Sequence, residues 1–390
     1  MQLFDPAEHE PLSSKPWNDT IACDFICDVV SAADLSFDPA LGWPMHPEDR
    51  YGEEPRPLDR GVYSGLCGTA WTVSKLAASY GMTLRNNYAA AVQAAAAEMQ
   101  VPSFFMGRAG AYASWYAIAK EEQALDGIEA AVQENAGNVT HEMFWGSPGS
   151  AIAALLVREF SGTTRFDGLL RAVQNEMWDS WRSGEEDAAL LWVQDMYGRR
   201  QFYVGAGHGA FGNLTVFARA IDLLSPSRRN ELHERVVALL DRYVLRDGDA
   251  ANWFSLGDPL SGNRMQWCHG APGAIISLSA YPTVDRHIET LLKAGGEGIW
   301  RAGPIRKGPG LCHGTAGNGY ALLRLAQRTG DAVWLERAQR FAMHAIEQAA
   351  RWRVEFGMRS YSLWTGELGV AAFADSVLRH DAAFPALELL

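Results

Sequence analysis

The sequence predicts an all-α fold, an α/α toroid (barrel) of seven helical hairpins that forms one domain over residues 1–390. A Gly-x-x-Gly step that precedes an apolar helical run occurs seven times. The intervals between steps range from 39 residues, between Gly107 and Gly146, to 63 residues, between Gly146 and Gly209. Each interval therefore has room for one helical hairpin, and hairpins that close on themselves form a ring.

We expect the runs after the glycine steps to be the inner helices of this ring. They carry few charges, as in residues 150–156, so most of their faces can be buried. Glycine at the beginning of each inner helix lets backbones pack closely near the axis, and the helix amino termini then point at a central cavity, where anions are favoured. The steps are Gly65/Gly68, Gly107/Gly110, Gly146/Gly149, Gly209/Gly212, Gly270/Gly273, Gly314/Gly317 and Gly366/Gly369.

More polar helical stretches lie between the steps, and we expect them to form an outer ring. The first 60 residues are expected to supply an amino-terminal outer helix at 17–33 and a largely extended segment at 37–57, which holds five prolines. The other outer stretches are 84–99, 126–134, 227–245 and 331–347.

The two longest intervals also contain irregular stretches, at 183–204 and 246–264, which we place near one rim of the ring. Loops on a rigid scaffold often carry function, but aromatic side chains in them also pack locally. The sequence leaves both roles open for Trp192, Tyr197, Trp253 and Phe254.

Composition excludes several classes of protein. The chain is 48% hydrophobic, 11% aromatic and 21% charged, which is typical of a folded globular protein. Its net charge of −12 argues against a general nucleic-acid or anionic-membrane surface. No apolar run approaches 18 residues and the amino terminus does not resemble a signal peptide, so no membrane contact and a cytoplasmic location are expected.

Five cysteines, an odd number, do not indicate a disulfide framework. We expect Cys23, Cys27 and Cys67 to be buried apolar residues. The other two lie in Cys-His pairs directly before a glycine step, at 268–269 and 312–313. Because these pairs occupy equivalent positions in successive repeats, closure of the ring brings them together.

Thiolate and imidazole are ligands that zinc prefers, and a catalytic zinc usually keeps three protein ligands and one open position. Cys268, Cys312 and His313 would supply that set for Zn²⁺. His208 occupies the corresponding position of the preceding repeat. It is either a fourth ligand or an unligated general acid or base, and we favour the second role.

These motifs resemble the lanthionine synthetase C-like family. The resemblance rests on Trp-Cys-His-Gly-Ala-Pro-Gly at 267–273, Leu-Cys-His-Gly-Thr-Ala-Gly-Asn at 311–318 and Gly-His-Gly at 207–209, and the glycine steps extend it over nearly the whole chain. It implies a seven-hairpin toroid, a central zinc, and addition of a thiol to dehydroalanine or dehydrobutyrine. It assigns zinc to Cys268, Cys312 and His313, acid/base catalysis to His208, and a supporting role to Arg264.

Two residues differ from the pattern of bacterial lantibiotic cyclases, which tend to have aspartate four residues before the third step and tyrosine after the first zinc cysteine. The chain has Glu142 and His269 there. Both look more like the stand-alone branch related to eukaryotic glutathione-binding members. Lys307 occurs where that branch has a basic residue near glutathione, and Glu142 would orient His208 or relay protons.

The leading hypothesis is thus a zinc-dependent, thioether-forming enzyme whose thiol is glutathione or a peptide cysteine. The repeats use up the chain, so a separate dehydratase, kinase or lyase would have to supply the dehydrated peptide or protein. One alternative is a carbohydrate-active toroid, in which paired carboxylates flank a sugar; the fourteen tryptophans suit it. The other is a non-catalytic protein that binds glutathione or a peptide.

Overall fold

The computed structural model describes residues 2–49, 59–181, 189–257, 262–282 and 285–388. Within these ranges the chain forms fourteen α-helices, which alternate between an outer and an inner ring. The outer helices are α1 (Asp19–Ser36), α3 (Tyr88–Glu98), α5 (Glu122–Asn135), α7 (Asp167–Ser180), α9 (Pro226–Tyr243), α11 (Arg286–Ala302) and α13 (Ala332–Phe356). The inner helices are α2 (Leu66–Ser79), α4 (Arg108–Ala119), α6 (Ser147–Ser161), α8 (Ala210–Arg219), α10 (Ala271–Ser277), α12 (Thr315–Thr329) and α14 (Glu367–Arg379).

The inner helices close into a ring. Each inner helix contacts the next one along the chain, and the last, α14, contacts the first, α2. The outer helix α1 packs against both α2 and α14, so it covers the closure. The predicted α/α toroid of seven hairpins is therefore confirmed.

Every predicted glycine step lies at the beginning of an inner helix, and close backbone approach explains it. A Cβ atom on Gly149 would lie 1.9 Å from the carbonyl oxygen of Met143, and one on Gly317 would lie 1.9 Å from that of Leu311. In the five remaining steps, a Cβ atom on the second glycine would likewise clash with the carbonyl oxygen of the residue six positions earlier. The chain before each inner helix therefore folds back against its first turn, which only glycine permits.

In five of the inner helices, the folded-back loop also accepts a hydrogen bond from the first amide group of the helix. The N–H of Leu66 donates to the Asp59 carbonyl at 2.9 Å, and equivalent bonds begin α4, α8, α12 and α14. In these five helices the first N–H group already has a carbonyl partner, so it is not available to an anion in the cavity.

The outer helices differ from their predicted bounds for local reasons. The α3 helix begins at Tyr88, later than the predicted 84, because the side chain of Asn87 caps it by accepting the Ala90 N–H. The α13 helix continues beyond the predicted 347 to Phe356. No glycine or proline interrupts it before Gly357, which ends it in the left-handed conformation with φ of 64°.

The irregular stretches form two antiparallel hairpins, which an all-α prediction omits. Strand β1 (Gln194–Met196) pairs with β2 (Arg199–Gln201), and β3 (Val244–Asp247) pairs with β4 (Ala250–Trp253). Parts of three predicted stretches, at 183–188, 258–261 and 50–57, lie outside the described residues. The described part of the 37–57 segment includes a short 3₁₀ helix, Pro47–Asp49.

The burial of their side chains tests the roles predicted for the aromatic residues of the irregular stretches and for the three other cysteines. Trp192, Trp253 and Phe254 are buried and pack in the core, whereas Tyr197 is exposed. Cys67 is buried as expected, but the prediction is wrong for Cys23 and Cys27, which are only partly buried. Both lie on α1 beside its buried stripe, which runs through Ala22, Phe25, Ile26, Val29, Val30 and Ala33. Among the described helices, none is long and apolar enough to cross a membrane.

We expect the ring to depend on its last hairpin. Deleting the chain from Trp352 onward removes α14, which contacts both α2 and α12, and it removes the Trp364 carbonyl that accepts the Cys312 N–H at 2.9 Å. The truncated protein should be insoluble or molten and should lose zinc, as judged by size-exclusion chromatography, near-UV circular dichroism and metal analysis. A soluble, zinc-loaded truncation would contradict closure of the ring.

Candidate functional site

The inner ring surrounds a cavity of about 640 Å³ that opens to solvent. Most of its lining comes from the two residues before each of the first six glycine steps, which the fold-back places beside the cavity. These residues are Tyr63, Met106, Phe144, Trp145, His208, Cys268, His269, Cys312 and His313; Tyr197, Arg264, Gln266 and Lys307 complete the lining.

The three predicted metal ligands come together in this cavity. One donor atom each from Cys268, Cys312 and His313 lies within 4.8 Å of the other two. Zinc–ligand bonds of about 2.0–2.3 Å in tetrahedral geometry separate ligand atoms by roughly 3.5–3.8 Å, so small side-chain movements suffice to bind the metal. Two buried thiols that form no disulfide and a half-buried imidazole are a donor set that fits zinc.

Backbone contacts fix the two cysteines relative to each other. The Cys268 N–H donates to the Cys312 carbonyl at 3.2 Å, and the Gly207 N–H donates to the Cys268 carbonyl at 3.2 Å. A Cβ atom on Gly207 would lie 2.9 Å from the Cβ of Cys268. Glycine is therefore required beside His208 so that the metal-binding loop can pack against the preceding repeat.

Each sulfur atom also has a neutral hydrogen-bonding neighbour that the sequence argument missed. The Gln266 amide donates to the Cys268 sulfur at 2.9 Å, and the Tyr63 side chain hydrogen-bonds to Cys312. Repeat position was the signal that could have found both. Gln266 lies four residues before its step, as Glu142 does, and Tyr63 lies two residues before its step, as the cysteines do.

The two thiols differ in acidity. A hydrogen bond from the Cys312 thiol, together with the nearby His269 and His313, holds the pKa of Cys268 well below its usual value. Burial, and then the bond with Cys268, raises the pKa of Cys312 well above its usual value. The pair therefore loses its first proton more readily than an isolated thiol and its second proton less readily, and a bound cation would favour loss of the second proton.

His208 faces the same cavity but does not belong to the Cys-Cys-His cluster found in the described residues. Its Nδ1 lies 2.7 Å from a carboxylate oxygen of Glu142, which is fully buried. Because an ionised carboxylate only accepts hydrogen bonds, Nδ1 carries the proton. Nε2 is then the nitrogen that can exchange a proton with a ligand.

Glu142 is held rigidly behind His208 and does not line the cavity. Its carboxylate accepts the N–H of Phe144 at 2.8 Å and that of Gly146 at 3.1 Å, and it also accepts the N–H of Trp145. Of the two roles that the sequence leaves open for Glu142, this geometry suits orientation of the imidazole, because the carboxylate has no path to a ligand except through His208.

Arg264 and Lys307 are exposed and line the cavity mouth. Lys307 also borders a second groove of about 380 Å³, together with Arg306, Arg351 and Trp352. No carboxylate from the described residues lines the main cavity. A glycoside-cleaving site needs paired carboxylates, so this lining argues against the carbohydrate-active alternative.

The fold and the cluster define the class of the protein: a closed α/α toroid whose cavity holds a thiol–imidazole cluster of the kind that can bind a metal ion. The family model described as "Lanthionine synthetase C-like protein" matches residues 56–389. The chain belongs to this family, as its motifs predicted.

Known relatives agree with this assignment. LanC-like protein GCL1 of Arabidopsis thaliana is 29% identical over 373 residues, which cover 85% of the chain and 82% of that protein. Glutathione S-transferase LANCL1 of Danio rerio is 37% identical over 136 residues, or 32% of the chain and 31% of that protein. The solved structure of nisin cyclase has the same fold, with a TM-score of 0.60 at 13% identity, over 93% of the chain and all of that structure.

Proposed function

We propose that this protein adds a thiol to dehydroalanine or dehydrobutyrine residues of a peptide or protein and so forms a thioether bond. One observation carries the proposal: a Cys-Cys-His cluster and a separate, carboxylate-oriented imidazole share one cavity. The reaction needs those two functions, a site that activates a thiol and a proton donor for the acceptor.

Cys268, Cys312 and His313 would hold the metal. Zinc bound there lowers the pKa of a coordinated thiol, so that the nucleophilic thiolate forms near neutral pH. The aromatic side chains of Tyr63 and Phe144 line the same cavity and limit the access of water.

The bond changes assign a role to His208. The sulfur forms a bond to the β-carbon of the dehydroamino acid, and the electron pair of the carbon–carbon double bond moves to the α-carbon as an enolate. The Nε2–H of a protonated His208 gives the α-carbon its proton, and the proton released by the thiol restores the imidazolium through solvent. Glu142 fixes the ring and stabilises its positive charge.

We infer that the preferred thiol is glutathione. This tripeptide carries two carboxylates, and the cavity mouth offers the cationic side chains of Arg264 and Lys307. The relative in Danio rerio is named a glutathione S-transferase. Under this proposal another protein, such as a dehydratase, kinase or lyase, generates the dehydroamino acid.

Mass spectrometry of two peptides tests the proposal. One contains dehydroalanine and is supplied with glutathione; the other contains dehydroalanine and an internal cysteine. We expect a glutathione adduct on the first peptide to form faster than in buffer. Ring closure of the second without reaction of the first would identify a peptide cysteine as the thiol, and enzyme-independent rates on both would contradict the function.

Lys307→Ala should weaken use of glutathione. Loss of one charge-assisted contact at the exposed mouth is expected to raise the KM for glutathione about tenfold and to leave kcat nearly unchanged. That factor corresponds to the low end of the free energies of hydrogen bonds to charged groups. Steady-state kinetics with a fixed dehydroalanine peptide measure this. Lys293→Ala, on the exposed side of α11, is the matched control and should change neither constant. An unchanged KM in Lys307→Ala would remove Lys307 from the site.

A further inference from the structure

We propose that Trp145 and Tyr197 form an aromatic clamp at the cavity mouth that binds the acceptor polypeptide next to its dehydroamino acid. Both residues line the cavity. This inference rests on the proposed function for the identity of the acceptor, and it assigns the acceptor's flanking residues to a definite wall of the site.

Tyr197 has a backbone conformation that is unfavourable for tyrosine and that other residue types adopt more easily. It lies in the turn between β1 and β2 with φ of 54°, and Gly198 follows with φ of 70°. Consecutive positive φ values favour asparagine or aspartate followed by glycine. Tyr197 is also 71% exposed, so packing offsets little of the cost. Strained residues of this kind are found at functional sites.

Trp145 holds this tyrosine at the cavity. Its indole N–H donates to the Tyr197 hydroxyl at 2.8 Å, and the two rings meet edge to face with centroids 6.5 Å apart. The backbone N–H of Trp145 donates to Glu142, and the Thr140 hydroxyl donates to the carbonyl of Asp195 in β1 at 2.7 Å. The hairpin and the loop before α6 are therefore joined into one unit.

The clamp lies on the acid/base side of the cavity. Trp145 has the position in the third repeat that His208 has in the fourth, directly before the glycine step, and α6 contacts α8. Lys307 lies on another side, in the loop before the sixth glycine step, which also carries Cys312. His208 must reach the α-carbon of the acceptor, so the residues next to that carbon lie at the clamp. The thiol then occupies the other side of the cavity, beside Lys307.

The chemistry of the clamp selects a polypeptide as its occupant. Tryptophan and tyrosine offer large, rigid apolar faces at low cost in conformational entropy, and the pair carries no charge. We therefore expect acceptors with an aromatic or aliphatic side chain next to the dehydroamino acid to bind best, and charged neighbours to bind less well.

Tyr197→Asn tests the clamp without endangering the fold, because asparagine tolerates positive φ. Its Tm should be unchanged or higher. Fluorescence anisotropy with a labelled Gly-Phe-dehydroalanine-Leu-Gly peptide, without thiol, should show binding about tenfold weaker than wild type, the size expected for losing one aromatic contact. Tyr197→Phe keeps the ring and should stay within about threefold. Phe160→Ala removes an exposed aromatic at the end of α6 and should bind as wild type does.

Kinetics give the second measurement. Tyr197→Asn should raise the KM for the peptide by a larger factor than the KM for N-acetyl-dehydroalanine methyl ester, since that small acceptor has no flanking residues. Equal peptide affinity and KM in wild type and Tyr197→Asn would overturn the clamp, as would a wild type that does not bind the peptide. Binding that depends on Tyr197, with no thioether formed by wild type, would support the clamp and contradict the proposed function.

Discussion

Cys312→Ala is expected to abolish both zinc binding and thioether formation. Cys312 supplies one of the two thiols in the cluster, and its N–H and carbonyl also join it to the neighbouring repeats. Loss of residues that only support a zinc ligand lowers affinity about 10–100-fold, so loss of a ligand should exceed about 100-fold. Elemental analysis and a chelator-competition titration measure the loss.

Cys67→Ala is the matched control for this variant. Cys67 is also a fully buried cysteine of an inner ring element, but it lies in α2, and burial raises the pKa of its thiol. It should therefore keep a full complement of zinc and activity, with a modest loss of stability from the vacated volume. If Cys312→Ala kept zinc at wild-type affinity, the assignment of the cluster would be wrong.

His208→Asn is expected to keep zinc and to lose the reaction. The imidazole is outside the cluster and is oriented by Glu142, so its removal deletes the proton donor and not the metal site. Thiol addition should slow by about two to four orders of magnitude, the usual contribution of a positioned acid or base. Zinc content and addition to a dehydroalanine peptide are measured on one preparation.

Two further variants sharpen this result. His287→Asn changes an exposed histidine of α11 that pairs with Asp241, and it should leave the rate unchanged. Glu142→Gln keeps the shape behind His208 but removes the charge, so it should slow the reaction less than His208→Asn does. If zinc occupancy fell with His208→Asn, His208 would be a fourth ligand. Full zinc with full activity would mean that it only packs.

The sequence was sufficient to predict the ring because its periodic signal has one physical cause. A residue such as Gly149 or Gly317 cannot be replaced without a clash with the carbonyl six residues earlier, so the step recurs wherever an inner helix begins. The same regularity placed Cys268 and Cys312 in equivalent positions, and the structure brings them together.

Other features depend on contacts between repeats, which spacing alone does not predict. Trp145 meets Tyr197 across 52 residues of chain, because the β1–β2 hairpin packs against the loop before α6. Conversely, the helix amino termini were expected to attract anions, yet in five of the seven inner helices a carbonyl of the preceding loop already accepts the first N–H group. Single capping residues, such as Asn87, likewise determine where a helix begins, which hydrophobic periodicity could not predict.

Removal and return of the metal tests the central claim most directly. Purified protein, metal-free protein and zinc-restored protein are compared for thioether formation between glutathione and a dehydroalanine peptide, with zinc measured on each sample. We predict about one zinc per chain, loss of enzyme-dependent addition without it, and recovery with zinc but not with magnesium, which prefers oxygen ligands. Full activity in the metal-free protein would contradict the account.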